Sequence, residues 1–496
     1  MPEAAAVPPA SPRRSDFNNW ISAIGGVIAA GALFSFALLV WIDFTKDAKN
    51  PYLGIFTYIV APGFLITGLI LVFFGAWAQR RWQIKHAATM PDKWRLDFAN
   101  PKQRRNLTLF GLGAAGFIML SAFGSYQTYH YSESVQFCGE VCHKAMNPEF
   151  VAHARSAHAR ISCAECHVGA GAVGFVQAKL NGTRQLVGYI LDDYARPIPA
   201  PARNMPLAQD VCLKCHWPEK SHGNVVRAYD HFLTDKENTA YSVRLLLRVT
   251  ETKPDGSMGG IHWHAGQGEK VEYYAADPKR QEIPWVRVTN LANGSTRVFR
   301  TADYKDEPPA GAIHTMDCMG CHNRPAHTYP TANDSIERAL GAGTISTKLP
   351  YVKREAVKAM VQEDITTDAA APEKIEAYLR KKYAENPDVG AASTEVKRLF
   401  ASTMFPARKA DWREYPDNIG HKDWLGCFRC HDNKHVDSAG KGMKANDCTS
   451  CHTLLAQGAG EELALINARG LEFKHPGGDL DPELSCSDCH TGGVQQ

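Results

Sequence analysis

The chain has 496 residues, with 55 Lys and Arg against 52 Asp and Glu, a formal charge of +3. At ~100–200 residues per domain this allows two to four units. A mean hydropathy of −0.30 excludes a protein that is mostly membrane, and balanced charge without a basic, aromatic-interleaved stripe argues against a nucleic-acid binder. The abnormal entries are 14 Cys and 20 His. So many thiols, even in number, point to disulfides, metal or a covalently attached group.

Residues 1–19 form a cytoplasmic tail whose first dozen residues, rich in Ala and Pro, read as disordered. Three uncharged runs follow, 20–42, 52–78 and 107–129, each long enough to span a bilayer. The first is too long for a cleaved signal and lacks a small-residue cleavage site, so it reads as an anchor. Between the second and third runs stand Arg80, Arg81, Lys85, Lys93, Arg95, Lys102, Arg104 and Arg105 against Asp92 and Asp97. The positive-inside rule places this loop, 79–106, and the N-terminus in the cytoplasm, and everything from 130 onward outside. No span contains His, Asp, Glu, Lys or Arg. The sequence thus offers neither imidazoles to hold a metal group between the helices nor an intramembrane proton path.

Every Cys falls in one of seven motifs. They are Cys138, Cys142, His143 (CGEVCH); Cys163, Cys166, His167 (CAECH); Cys212, Cys215, His216 (CLKCH); Cys318, Cys321, His322 (CMGCH); Cys427, Cys430, His431 (CFRCH); Cys448, Cys451, His452 (CTSCH); and Cys486, Cys489, His490 (CSDCH). C-x-x-C-H is the attachment signature of c-type haem: two thiols form thioethers with one porphyrin and the adjacent His reaches its iron. Zinc would pair C-x-x-C units around one metal, and seven units with their own His do not divide that way. The count predicts seven haems, with the first motif widened by one residue.

Thirteen His remain. His86 belongs to the basic loop, and His130, His153, His158, His222, His231, His262, His264, His314, His327, His421, His435 and His475 lie outside. Imidazole on both faces of each iron would use about half of these. Candidates for distal or alternative axial ligands are His158, His231, His262, His264, His314, His327, His421, His435 and His475, together with Met146; which serves which iron is open.

Residues 130–222 hold the first three motifs. From 223 to 313 the chain has no Cys and alternates in strand fashion (YSVRLLLRVT, KVEYYAA, WVRVTN, TRVFRT), with turn signals at Asp255-Gly256 and Asn293-Gly294. This predicts a small β-rich insertion. The fourth motif and a helical segment fill 314–420, where VKREAVKAMVQ and PEKIEAYLRKKY have charged faces expected to be solvated. Residues 421–496 carry the last three motifs. The expected fold is a mostly α and irregular multihaem cytochrome c domain on a three-helix membrane anchor, residues 20–129.

The stretches FCGEVCHKAMNPEF, SAHARISCAECHVGAG, AKLNGTRQL and CLKCHWPEKSHG resemble the NapC/NirT family of membrane-anchored multihaem quinol dehydrogenases. IHWHAGQ, CHNRPAH and NIGHKDWLGCFRCHD resemble its larger, heptahaem members with three anchoring helices. The resemblance implies a first haem at the membrane surface beside a quinol site, a Met close behind its motif as axial ligand, and a basic residue near the quinol. Met146 stands three residues after His143 rather than two, so His143, Met146 or neither holds that iron. Lys179 and Arg184 occupy the basic position.

The expected activity is therefore oxidation of membrane quinol at a bacterial inner membrane, with electrons passed along the haems to a periplasmic acceptor in anaerobic respiration. A terminal reductase of a small oxyanion or metal, or a relay subunit of a larger complex, are the competing readings. The cytoplasmic loop holds +6 of the charge, leaving −3 for the rest, and each haem adds two propionates. An acidic exterior predicts a partner with a basic surface. Oligomeric state is not legible.

Overall fold

The computed structural model describes residues 17, 19–45, 60–85, scattered positions between 101 and 131, and then 134–141, 143–168, 171–202, 205–216, 223–252, 258–266, 268–384, 386–443, 448–478 and 486–494. The chain divides into two units, residues 1–137 with 166–186, and residues 138–165 with 187–496.

In the first unit, α1 (Trp20–Thr45) and α2 (Ala61–Lys85) are both long and apolar enough to cross a bilayer. They pack antiparallel through small residues. A Cβ on Gly25 would stand 2.6 Å from the Gly68 carbonyl, and one on Gly68 would stand 2.6 Å from the Ala29 nitrogen. Close backbone approach replaces the hydrophobic effect as the cohesive force between helices in lipid. The Ser22 hydroxyl donates across the pair to the Val72 carbonyl at 2.9 Å. The expected loop begins later than the charges indicate, because α2 continues through Arg80 and Arg81 to Lys85. Arg81 lies 4.4 Å over the Trp77 ring, as basic and aromatic side chains do where a helix leaves the apolar layer. Of the third run only scattered positions are described; as a span it lies outside the described residues, as do 46–59 and 86–100.

The second unit opens on a π-turn, whose first residue still belongs to the first unit, over Phe137–Val141. A π-turn takes up one residue more than an α-turn, and one extra residue is what distinguishes CGEVCH from the other six motifs. Helix α3 (His143–Ala154) follows. α4 (Cys163–His167) and α5 (Gly171–Ile190) run across the division between the units, and α6 (Ala208–Cys212) leads into the third motif.

The insertion contains two antiparallel sheets. One is built on β1 (Gly223–Phe232), β2 (Ala240–Thr252) and the short β3 (Met258–Gly259). The other has the order β6-β5-β4-β7, with β4 (Glu269–Tyr274), β5 (Trp285–Asn290), β6 (Thr296–Arg300) and β7 (Ile313–Thr315). Val271, Tyr273, Val286, Val288 and Phe299 form its core. The expected Asn293-Gly294 turn is present, with Gly294 at φ +71°; Asp255-Gly256 lies outside the described residues. The insertion is not self-contained. A strand from the C-terminal cluster, β8 (His452–Gly458), pairs with β2 on the side opposite β1.

After α7 (Cys318–Cys321), the helices α8 (Ala332–Gly341), α9 (Val352–Met360), α10 (Ala371–Tyr383) and α11 (Val389–Thr403) enclose the largest apolar core of the unit. On α10 the charged face is solvated as expected, with Glu373, Arg380, Lys381 and Lys382 exposed, whereas on α9 the expectation is corrected by the buried Lys353 and Glu355. Lys353 and Glu337 are 2% and 4% exposed. Lys353 Nζ donates to Glu337 Oε1 at 2.7 Å and to the Phe232 carbonyl. Glu337 also meets His231, and Lys422 bridges Asp334 at 3.0 Å and Asp423 at 3.4 Å. These charges are buried because they neutralise one another, and removing one partner of such a set is costly.

Candidate functional site

Short helices hold both motif cysteines in the second, fourth and seventh motifs, α4, α7 and α12 (Cys486–Cys489), whereas α6 and the 3-10 turns Gly426–Arg429 and Cys448–Ser450 hold the first Cys of the third, fifth and sixth. Helical winding puts thiols at i and i+3 on one face. At the fourth motif the turn is capped by Asp317, whose side chain accepts from the Gly320 N–H at 3.0 Å. Cys142 and the His143 side chain lie outside the described residues. Met146 is half-buried on α3.

The non-motif histidines sort by their neighbours. His158 lies 5.9 Å from His216, His262 lies 6.4 Å from His322 and His264 lies 5.9 Å from His431, ring centre to ring centre. His421 lies 6.2 Å from His452 and His475 lies 6.1 Å from His490. In each of these five pairs one imidazole belongs to an attachment motif and the other does not. Two imidazoles sharing one metal through bonds of about 2 Å have ring centres about 6 Å apart. All five pairs meet that separation.

Hydrogen bonds on the far ring nitrogens fit the same purpose. Nδ1 of His158 meets the Pro325 carbonyl at 3.1 Å, Nδ1 of His264 meets the Ile261 carbonyl at 2.8 Å and Nδ1 of His262 meets the Thr250 hydroxyl at 3.1 Å. Donation from Nδ1 leaves the Nε2 lone pair for a metal, the usual support of a ligating imidazole. His421 and His452 each bury an Nδ1 with no hydrogen-bond partner. The His475 pair fits in distance and differs in tautomer, because Nδ1 accepts from the Gly477 N–H at 3.1 Å. Burial lowers the pKa of His262, His322, His421 and His452, and that of His490 to about 4, holding them neutral as ligands must be.

Three candidates do not pair this way. The His435 ring nitrogens face two acceptors, Asp432 Oδ1 and the Ile283 carbonyl. Burial opposes its charge, but those two bonds outweigh burial and raise its pKa. With acceptors facing both ring nitrogens, neither is turned toward a metal. His231 is committed to Glu337 at 2.9 Å, and His314 packs on Tyr273 at 5.4 Å. His327 meets His153, which the sequence did not single out, at 6.2 Å. Its Nδ1 is held by the Glu149 carbonyl at 3.2 Å, with the Glu149 carboxylate 3.3 Å away. Arg324 lies 3.5 Å from that carboxylate and 4.3 Å over Tyr415. Burial, then Arg324, pushes His327 down to about 4. His130 and His222 lie outside the described residues.

Several later motifs lie near one another. Cys212 and Cys318 are in side-chain hydrogen-bond contact, and Cys321 and Cys427 feel one another's charge, as do Cys448 and Cys486. Phe428, inside the fifth motif, stacks on His421.

Comparison with known proteins agrees with this arrangement. The model of the NapC/NirT cytochrome c family, N-terminal region, matches residues 101–211. The cytochrome c-type protein ImcH of Geobacter sulfurreducens is 36% identical over 96% of this chain and 96% of its own length. The chain belongs to the NapC/NirT cytochrome c family. It is a membrane-type, multihaem c-type cytochrome with covalently bound haem c, and electron transfer is its chemistry. No solved structure matches it. The imidazole pairs, and the thiols that share one helical turn in α4, α7 and α12, fit haem c.

In the first unit, Lys179 and Arg184 both fall on α5. The Lys179 side chain lies outside the described residues, and Arg184 is exposed. Five residues apart, the two positions stand about 140° apart around the helix axis, so they do not share a face.

Proposed function

We propose that the protein is a heptahaem cytochrome that oxidises membrane quinol and relays the electrons to a periplasmic acceptor protein. The observation that carries this reading is the run of imidazole pairs from the third motif to the seventh, His158 with His216, His262 with His322, His264 with His431, His421 with His452 and His475 with His490, in which Phe428 of the fifth motif stacks on His421. Such a succession is a line of sites in chain order, not a pocket for one substrate. Bound haem supplies one-electron transfer, so the two electrons of a quinol leave singly while its two protons are released.

The chain's own part is to tether, space and ligate. The motif cysteines fix each group, and His143, His167, His216, His322, His431, His452 and His490 are the proximal ligands. His158, His262, His264, His421 and His475 complete the third to seventh sites. With α1 and α2, residues 107–129 form a three-span anchor whose N-terminus is cytoplasmic, by the charge of the loop before the third span. Quinol meets the chain in the first unit, at α5. One of Lys179 and Arg184 fronts it, since the two positions diverge around the helix.

The test is reduction of the purified protein in lipid by a quinol analogue, followed at the haem absorption band. Lys179→Ala or Arg184→Ala is expected to slow quinol-driven reduction and leave dithionite reduction unchanged. Absence of quinol-driven reduction, with turnover of nitrite or a metal salt instead, would replace this reading by a terminal reductase.

A further inference from the structure

The short 3-10 turn Ile261–Ala265, sequence IHWHA, carries two histidines separated by one residue. They face different motifs. His262 is 6.4 Å from His322 of the fourth and His264 is 5.9 Å from His431 of the fifth. Between them Trp263 packs against the core of the β4–β7 sheet, the same core that Cys430 of the fifth motif touches. The turn is also pinned to β2. Gly260 has φ +76°, and a Cβ there would stand 2.5 Å from the Arg248 carbonyl, so only glycine permits the approach. Thr250 of β2 then bonds His262. All of this lies beyond residues 101–211, which match the model of the family's N-terminal region.

From this geometry we propose that IHWHA is a double clamp: His262 is the distal ligand of the fourth haem and His264 that of the fifth, with Trp263 as the wedge that fixes both. The Cα atoms of residues i and i+2 are at most ~7 Å apart, so one rigid turn sets the spacing of two irons. The insertion thereby becomes part of the electron path. Its sheets hold a turn that locks neighbouring haems together, and their register decides how well those two sites couple.

The inference rests on the reading of the chain as a heptahaem cytochrome, and the experiment separates the two. Haem number is read by mass; a number other than seven defeats that reading. Spin state is read by low-temperature electron paramagnetic resonance. His262→Gly and His264→Gly are each expected to convert one low-spin haem to high spin, reversed by added imidazole, which shows that the fold has survived. The Cys318→Ser/Cys321→Ser variant lacks the fourth haem. In that background His262→Gly is expected to add no high-spin signal, whereas His264→Gly adds one. A new high-spin haem from His262→Gly in that background, or no spin change from either substitution in the full complement, overturns the double clamp.

Discussion

Phe428 and His421 lie face to face, ring centres 4.2 Å apart and planes inclined by 15°. Phe428 belongs to the fifth motif, and His421 faces His452 of the sixth at 6.2 Å. One aromatic contact therefore joins two neighbouring sites. A stack of this kind is worth about 1 kcal/mol, so Phe428→Ala is expected to raise the fraction of the sixth haem lacking its distal imidazole about fivefold. Resonance spectroscopy at low temperature checks this through the high-spin amplitude.

The ring planes of the five pairs differ. His264 and His431 stand at 88°, whereas His421 and His452 stand at 23°. Near-perpendicular imidazoles leave the iron orbitals close to degenerate, and near-parallel ones split them. The spectrum of the oxidised protein is expected to contain a highly anisotropic low-spin signal that His264→Gly removes, and a rhombic one that His421→Gly removes.

The buried charges around Glu337 give the haem domain a pH dependence. Burial alone would raise this carboxyl, but the His231 hydrogen bond and the charges of Lys353 and Lys422 outweigh it and hold the pKa at about 2. A depressed carboxylate stabilises the fold above its unfolded pKa of about 4.5 and loses that contribution as pH falls toward 2. The shift corresponds to about 3 kcal/mol. Glu337→Gln is expected to flatten the acid limb of stability against pH. Lys353→Met leaves Glu337 buried with less compensation and is expected to destabilise the domain by about 3 kcal/mol near neutral pH. Chemical denaturation between pH 2 and pH 7 tests both.

In the anchor, Gly68→Leu drives a side chain into the Ala29 backbone, while nothing lies within 4 Å of a Cβ on Gly26. Gly68→Leu is expected to separate α1 from α2 at a cost of about 1–3 kcal/mol, and Gly26→Leu to be tolerated. Thermal unfolding in detergent distinguishes them.

Much of this architecture is written locally. The strand WVRVTN appears as β5, residue for residue, and PEKIEAYLRKKY forms all but the first residue of α10, because period-two and period-3.6 patterns survive in any context that buries one face. What was not legible depends on distant partners. His264 and His431 meet from positions far apart in the chain, and no local pattern sets His264 against a motif imidazole and His435 against Asp432. Lys353 looks like a solvated helix charge until Glu337 is placed beside it. The strand β8 begins inside the sixth attachment motif, where composition signals haem and not sheet.

That strand has a consequence for how the molecule is made. β2 is synthesised early and can take β1 at once, yet its other edge stays open until His452 and the residues after it have emerged. A chain stopped before that point would present a long unsatisfied edge, the usual template for aggregation. Because His452 is both the first residue of β8 and the last of a haem motif, cofactor ligation and sheet closure meet at one residue. On the heptahaem reading, the residue that ends the sixth attachment motif also begins the strand that closes the sheet.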